Sequence, residues 1–117
     1  MQSLELVRRI VNLADDRKAQ DPLVLDLRQL TIITDYFVIL TGTSRTHVLG
    51  IADNIREELA EQGILPQQQE IDQGAQWLLL DYGSVVVHIF QPETRLFYNL
   101  ERLWNDAKRV PLNDLLQ

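Results

Sequence analysis

No cysteine occurs anywhere in the 117 residues. That excludes disulfides, thiolate metal sites and cysteine nucleophiles together, and it suits a reducing compartment. Basic charge is also in deficit, with 11 Lys+Arg against 17 Asp+Glu and a formal net charge of −6. Free nucleic acid and anionic membranes draw most of their affinity from a basic footprint, so neither is an expected partner, whereas a basic protein is. No apolar run approaches a membrane span, and the opening MQSLELVRRIVNLADDRKAQ lacks the uninterrupted apolar core of a signal peptide. A soluble, cytoplasmic protein is expected. No Asp-x-Asp pair lies in a candidate strand; Asp26 and Asp81 stand alone, so metal-dependent transfer chemistry lacks its paired carboxylates. The histidines, His47 and His88, show no zinc or iron spacing and no third group that completes a triad. Neither a cofactor, a metal nor an enzymatic activity is expected.

What the chain does contain is an ordinary globular balance, 45% apolar and 24% charged residues, long enough for one domain with a core of its own. The dominant stretch is Gly74–Phe90, GAQWLLLDYGSVVVHIF. Two apolar runs, Trp77–Leu80 and Val85–Phe90, flank Asp81-Tyr82-Gly83-Ser84 and read as a tight β-hairpin. A turn that forces Tyr82 to positive φ is costly, so a type I turn centred on Asp81-Tyr82 with Gly83 as a left-handed bulge is expected. Neither run alternates between apolar and polar residues. Such strands are covered on both faces or lend one face to a partner.

Along the chain, Ser3 is placed to cap a first helix whose stripe is Leu4, Val7, Ile10, Val11 and Ala14. Pro22 stops that helix and launches a strand with Leu23, Leu25 and Leu27 on one side, Asp26 lying at its solvent edge. Tyr36–Thr41 reads as an internal strand covered on both faces. A helix follows with Val48, Ile51, Ala52, Ile55 and Leu59 on one face, ended by Gly63. Pro66–Glu70 is a polar connector or edge segment. After the hairpin, Pro92 begins a last helix with Leu96, Leu100, Leu103 and Ala107 as its buried stripe and Phe97 and Trp104 alongside on one face. A domain over residues 1–110 is expected, with a loosely packed tail, 111–117. The order helix, strand, strand, helix, hairpin, helix predicts a single α/β domain with a mixed β-sheet flanked by helices.

Three features could carry function. The turn Thr41-Gly42-Thr43-Ser44 joins a strand to a helix N-terminus, where phosphate binds readily, yet it lacks a P-loop lysine and repeated glycines, and an N-cap explains it as well. The acidic cluster Asp53, Glu57 and Glu58 reads as a solvated helix face supported by Arg56. The aromatic residues Trp77 and Tyr98, with Arg95 and Arg102 beside Tyr98, are of the types that dominate protein–protein hot spots.

Taken together, Asp26, Thr34-Asp35-Tyr36-Phe37-Val38, Thr41-Gly42-Thr43-Ser44, His47, Ile51-Ala52, Glu70, Trp77, Asp81-Tyr82-Gly83, Val87-His88-Ile89-Phe90, Arg95, Tyr98, Leu100-Glu101 and Leu103-Trp104 resemble the ribosomal silencing factor, or Iojap-like, family. Departures are Gln76 where Asp is usual before the Trp, Ile71 where Gly is common after Glu70, and Ser84 in place of an acidic residue. The resemblance implies a nucleotidyltransferase-like scaffold lacking catalytic carboxylates. It also implies a partner, ribosomal protein fourteen of the large ribosomal subunit, whose occupation blocks joining of the small subunit and represses translation when nutrients are short. By that analogy Trp77 and Tyr98 are the partner-binding anchors, with Leu79, Tyr82 and Arg95 around them. Two alternatives stay open: a vestigial nucleotide-binding module using Thr41–Ser44 and a lone Asp, and a homodimer in which double-sided strands bury each other.

Overall fold

The computed structural model describes residues 2–117. Helix α1 (Ser3–Asp16) buries Leu6, Val7, Ile10, Val11, Leu13 and Ala14 on one side. The helix starts at its expected cap, so the cap falls one residue earlier. Ser3 is already helical, Gln2 holds the cap position without a side-chain bond, and Leu4 lies outside the buried stripe. The helix ends at Asp16, with Lys18 at φ 60 just beyond it, so Pro22 is not what stops it. Pro22 instead sits inside strand β1 (Gln20–Asp26), where the register shifts between Gln20 and Leu23. A bulge is one of the few places in a ladder that tolerates a missing N–H.

Strand β2 (Tyr36–Thr41) has the expected bounds, and five of its six residues are fully buried. Helix α2 (Arg45–Glu61) is capped by Ser44, whose Oγ accepts from the His47 N–H at 3.1 Å. The whole expected stripe, Val48 through Leu59, is buried. Beyond the helix Gly63 takes φ +77, with Gly63 N–H bonded to the Ala60 carbonyl and Ile64 N–H to the Leu59 carbonyl, both at 2.9 Å. That is the Schellman arrangement, for which a left-handed residue is required.

The polar run after α2 forms strand β3 (Gln68–Ile71), followed by β4 (Trp77–Asp81) and β5 (Val85–Phe90). The β4–β5 turn is centred on Gly83-Ser84, two residues beyond the expected Asp81-Tyr82, while Gly83 takes the expected positive φ. Tyr82 pairs with Val85 across it, the Ser84 N–H donates to the Tyr82 carbonyl at 3.2 Å, and Gly83 carries φ +86. The Asp81 carboxylate accepts from the Gly83 N–H at 2.7 Å, which moves the bend onto the glycine and leaves Tyr82 unstrained.

The chain then forms α3 (Pro92–Tyr98), α4 (Leu100–Leu103), the two-residue strand β6 (Lys108–Arg109) and a 3-10 turn, Leu112–Asp114. One long last helix is therefore incorrect. Asn99 at φ 47 breaks it, and Leu96, Phe97 and Leu103, expected to be covered, are exposed. The tail is likewise docked rather than loose. Leu115 is fully buried, and Asn12 Nδ2 donates to its carbonyl at 2.9 Å while Arg8 reaches the Asp114 carbonyl at 3.0 Å.

The six strands lie in the order β3-β4-β5-β2-β1-β6. Only the β2–β5 pair is parallel, so the sheet is mixed, as expected. The two outer strands, β3 and β6, cover β4 and β1 and are the elements that hydrophobic patterning does not reveal. Helices α1 and α2 pack together over one sheet face, on Val24, Val38, Leu40, Leu78, Leu80, Val87 and Ile89. The other face holds a smaller cluster, Leu25, Leu27, Ile39 and Phe90, capped by Phe37, Leu100 and Trp104.

Candidate functional site: an aromatic ledge on the second sheet face

The hairpin register decides which side chains share the second face. Trp77 pairs with Phe90 and Leu79 with His88, so these four, separated by alternation from Leu78 and Leu80, point the same way. Trp77 Nε1–H donates to His88 Nδ1 at 3.1 Å, and the Trp77 ring lies 4.9 Å from Phe90, centroid to centroid. Phe37 meets His88 edge-on at 4.6 Å and Trp104 edge-on at 5.9 Å. The indole is thus fixed from behind by a hydrogen bond and ring packing. Ring pairs at such distances contribute about 0.5–1.5 kcal/mol each beyond their area.

Tyr98 rests against the outer side of Trp77 at 4.6 Å between centroids and remains 49% exposed. Its position follows from two brackets on α3. Gln91 Nε2 donates to the carbonyls of Gly74 and Ala75, each at 3.2 Å, tying the helix start to the loop before β4. Arg95 donates to the Asp21 carbonyl at 2.7 Å and the Thr41 hydroxyl at 2.8 Å, while its Nε pairs with Glu101 at 3.3 Å. The short helix buries no residue of its own, so these bonds rather than apolar packing hold it in place.

The ledge continues outward through Phe97, which is 80% exposed and edge-on to Tyr98 at 5.1 Å, and through exposed Leu96 and Leu103. On its other flank a groove of about 350 Å³ is lined by Glu70, Ile71, Asp72, Trp77 and Leu79. Asp72 accepts from the N–H groups of Gln76 and Trp77, at 2.7 and 3.1 Å, and so fixes the entry to β4. The result is a half-open apolar shelf edged by carboxylates, suited to binding a protein surface.

Of the residues singled out in the sequence, the structure brings Trp77, Leu79 and Tyr98 together. It withdraws Tyr82. One residue along from Asp81, its side chain crosses to the helix-covered face, where it is 8% exposed and its hydroxyl is pushed up to about 12 by burial. Arg95 is likewise spent inside the molecule, its side chain 14% exposed. It supports the ledge and offers no free head group. Phe97, Leu96 and Leu103, which helical spacing predicts to be covered, belong to the ledge. The one signal of their exposure was Asn99, a residue type that tolerates the left-handed conformation.

The other candidates resolve locally. A Cβ on Gly42 would lie 2.7 Å from Val48 Cγ2 and 2.9 Å from Val48 N, so the glycine is required for strand end and helix start to approach. His47 Nδ1 accepts from the Thr43 N–H and its Nε2–H donates to the Arg17 carbonyl, both at 2.8 Å, joining the two helices. Asp26 pairs with Arg28 at 2.8 Å, and that hydrogen bond holds its carboxyl below the usual range. Among the described residues, no group of three or more His, Asp and Glu side chains is placed to hold a metal ion, and no helix is long and apolar enough to cross a membrane.

Fold and ledge together define an α/β protein that leaves a preorganised aromatic surface half-exposed on one sheet face. The family model "Ribosomal silencing factor during starvation" matches residues 1–117. Ribosomal silencing factor RsfS of Bacillus subtilis is 44% identical over 101 residues, covering 86% of this chain and 83% of that protein. Ribosomal silencing factor RsfS of Halalkalibacterium halodurans is 39% identical over 116 residues, covering 99% of each. A crystal structure of a protein from Chromobacterium violaceum superposes with a TM-score of 0.86 at 30% identity, covering 90% of this chain and 88% of that one. The chain belongs to the ribosomal silencing factor family.

Proposed function

We propose that this protein binds the large ribosomal subunit through ribosomal protein fourteen, blocks joining of the small subunit by steric exclusion and represses translation under nutrient limitation. Family membership supports a role in translation regulation. The observation that carries the contact surface is the half-exposed Trp77–Tyr98 pair, preorganised from behind and framed by Leu79, Phe97 and the Glu70–Asp72 groove. Aromatic anchors fixed before binding lose little entropy on association, and carboxylates at the rim complement a basic ribosomal protein and speed its encounter. In this reading the protein acts by occupancy, in the cytoplasm, without catalysis, and Arg95 contributes by holding Tyr98.

The test is sedimentation of purified protein with large subunits, followed by addition of small subunits. Co-sedimentation with failure of whole ribosomes to form is expected. Migration at the top of the gradient with normal ribosome assembly refutes the reading. Tyr98→Ala is the cleaner anchor variant, because Trp77→Ala also strips the buried His88 of its donor. Loss of about 2 kcal/mol or more of binding in a folded Tyr98→Ala protein is expected.

A further inference from the structure

Residues 100–117 pass from one face of the sheet, round its edge at β6, to the other face. Leu100, Trp104 and Ala107 lie over the second-face cluster of Leu25, Leu27, Ile39 and Phe90. The chain then pairs with β1 through Lys108 and Arg109, and the Val110 N–H donates to the Val24 carbonyl at 2.9 Å. Beyond that, Leu112, Leu115 and Leu116 enter the first-face core, where Leu115 is fully buried.

The stretch over the second face has little hold of its own. Helix α4 buries none of its residues fully, and both residues of β6 are exposed. At its start stands Asn99, φ 47, which separates it from the bracketed helix α3. One ion pair, Arg95 with Glu101 at 3.3 Å, spans that joint. Residues at the ends of elements are where a backbone absorbs a change of direction. The tie at the far end is made on α1. Asn12 Nδ2 donates to the Leu115 carbonyl at 2.9 Å, and Asn12 Oδ1 accepts from the Gln117 N–H at 3.1 Å. Arg8 adds its bond to the Asp114 carbonyl. The buried Leu115 side chain and these bonds together form a latch, and they sit on the face opposite to the one that residues 100–107 cover.

We propose that residues 100–107 form a lid over the second sheet face, hinged at Asn99 and latched through Leu115 and Asn12 on the first. Terminal segments with few buried contacts open at lower cost than the whole domain. Between hinge and latch, the ties to the sheet edge are the short β6 ladder and the Val110 bond. Opening uncovers Leu25, Leu27, Ile39 and Phe90, and Phe90 already meets the Trp77 ring at 4.9 Å. The uncovered area is therefore continuous with the ledge, and a latch on one face sets the apolar area on the other. The lid is a property of the isolated chain and stands or falls without the ribosomal reading.

A chain without cysteine permits a single-thiol test. Val38 and Ile39 are neighbours on β2, both fully buried, the first in the helix-covered core and the second under the lid. Full-length Val38→Cys and Ile39→Cys proteins are labelled with N-ethylmaleimide under native conditions and read by mass spectrometry, each rate divided by that of its unfolded chain. The thiol of Ile39→Cys is expected to react at least about tenfold faster than that of Val38→Cys, because the lid opens without the helices. Adding Asn12→Ala, which removes two latch bonds, is expected to speed the Ile39 site about tenfold further, the worth of one to two neutral hydrogen bonds. Val24→Cys and Leu25→Cys repeat the contrast on β1 where a β2 variant fails to fold. Equal protection of the two faces means that only global unfolding uncovers the second. A second-face rate unmoved by Asn12→Ala means that the latch does not govern the lid. Either result overturns the proposal.

Discussion

The two faces of one sheet solve the same problem differently. Both carry apolar side chains along β4, β5, β2 and β1. The first face is sealed by α1 and α2, whose stripes are long, periodic and fully buried. The second is closed over only part of its width, by Phe37, Leu100 and Trp104 around Leu25, Leu27, Ile39 and Phe90. Where that cover stops, Trp77 and Leu79 remain half-exposed and Tyr98 leans on the edge. The first face holds the larger buried core, and the second leaves apolar area exposed and already shaped. Neighbouring residues on one strand can therefore be asked to do different work.

Leu80 and Leu79 offer the sharpest contrast, adjacent in β4 and on opposite faces. Leu80→Ala is expected to cost about 2–5 kcal/mol of folding free energy, as for other fully buried leucines. Leu79→Ala is expected to cost less than about 1 kcal/mol, while weakening association with the large subunit. Urea titrations of both variants check this, and equal losses would erase the distinction between the faces.

Acid is expected to act through the second face. Burial lowers His88 from 6.5 to about 4. Between those values the unfolded chain binds a proton that the native ring refuses, so unfolding is favoured as pH falls. The native advantage is complete above about pH 6.5 and declines by up to about 3 kcal/mol as the pH approaches 4. Protonation also places a second donor against Trp77 Nε1–H, opposing the bond that fixes the ledge. Denaturant midpoints from pH 7 to pH 4 should fall steeply in the wild type and less steeply in His88→Gln; parallel slopes would exclude the ring as their source.

Gly42 tests the junction at which β2 runs into the start of α2. An alanine there meets Val48 backbone atoms as well as its side chain, so Gly42→Ala is expected to destabilise by about 1–3 kcal/mol. If the turn is a packing device, wild-type protein gives no saturable heat with nucleotide, and the variant changes stability alone. Nucleotide binding that disappears with Gly42 would reopen a phosphate role for Thr41–Ser44.

These contrasts also explain which features were legible in the sequence. The stripe of α2, the bounds of β2, the Gly63 cap and the leucine alternation of β1 are local signals with one outcome. The faces of the hairpin were not decidable that way, because an unalternating run looks the same on a sealed face and on an open one. Strand β3 escaped for the opposite reason. All four of its residues are exposed, so it carries no burial pattern, and pairing with β4 alone defines it. Family analogy places Tyr82 on the ledge, although alternation from Trp77 puts it on the other side.

The smallest expected effect on folding belongs to Phe97. The run Leu96–Leu103 has the spacing of a buried helix face, and a single left-handed residue, Asn99, turns part of it outward. Phe97 therefore touches Tyr98 at its edge and little else, and Phe97→Ser is expected to change stability by no more than about 0.5 kcal/mol. Its effect on large-subunit binding should exceed that, because an exposed ring beside an anchor excludes water from the anchor's contact. A Phe97→Ser protein that melts as the wild type does but sediments poorly with large subunits would extend the contact surface from the hairpin onto α3. One that binds normally would confine it to Trp77, Leu79 and Tyr98.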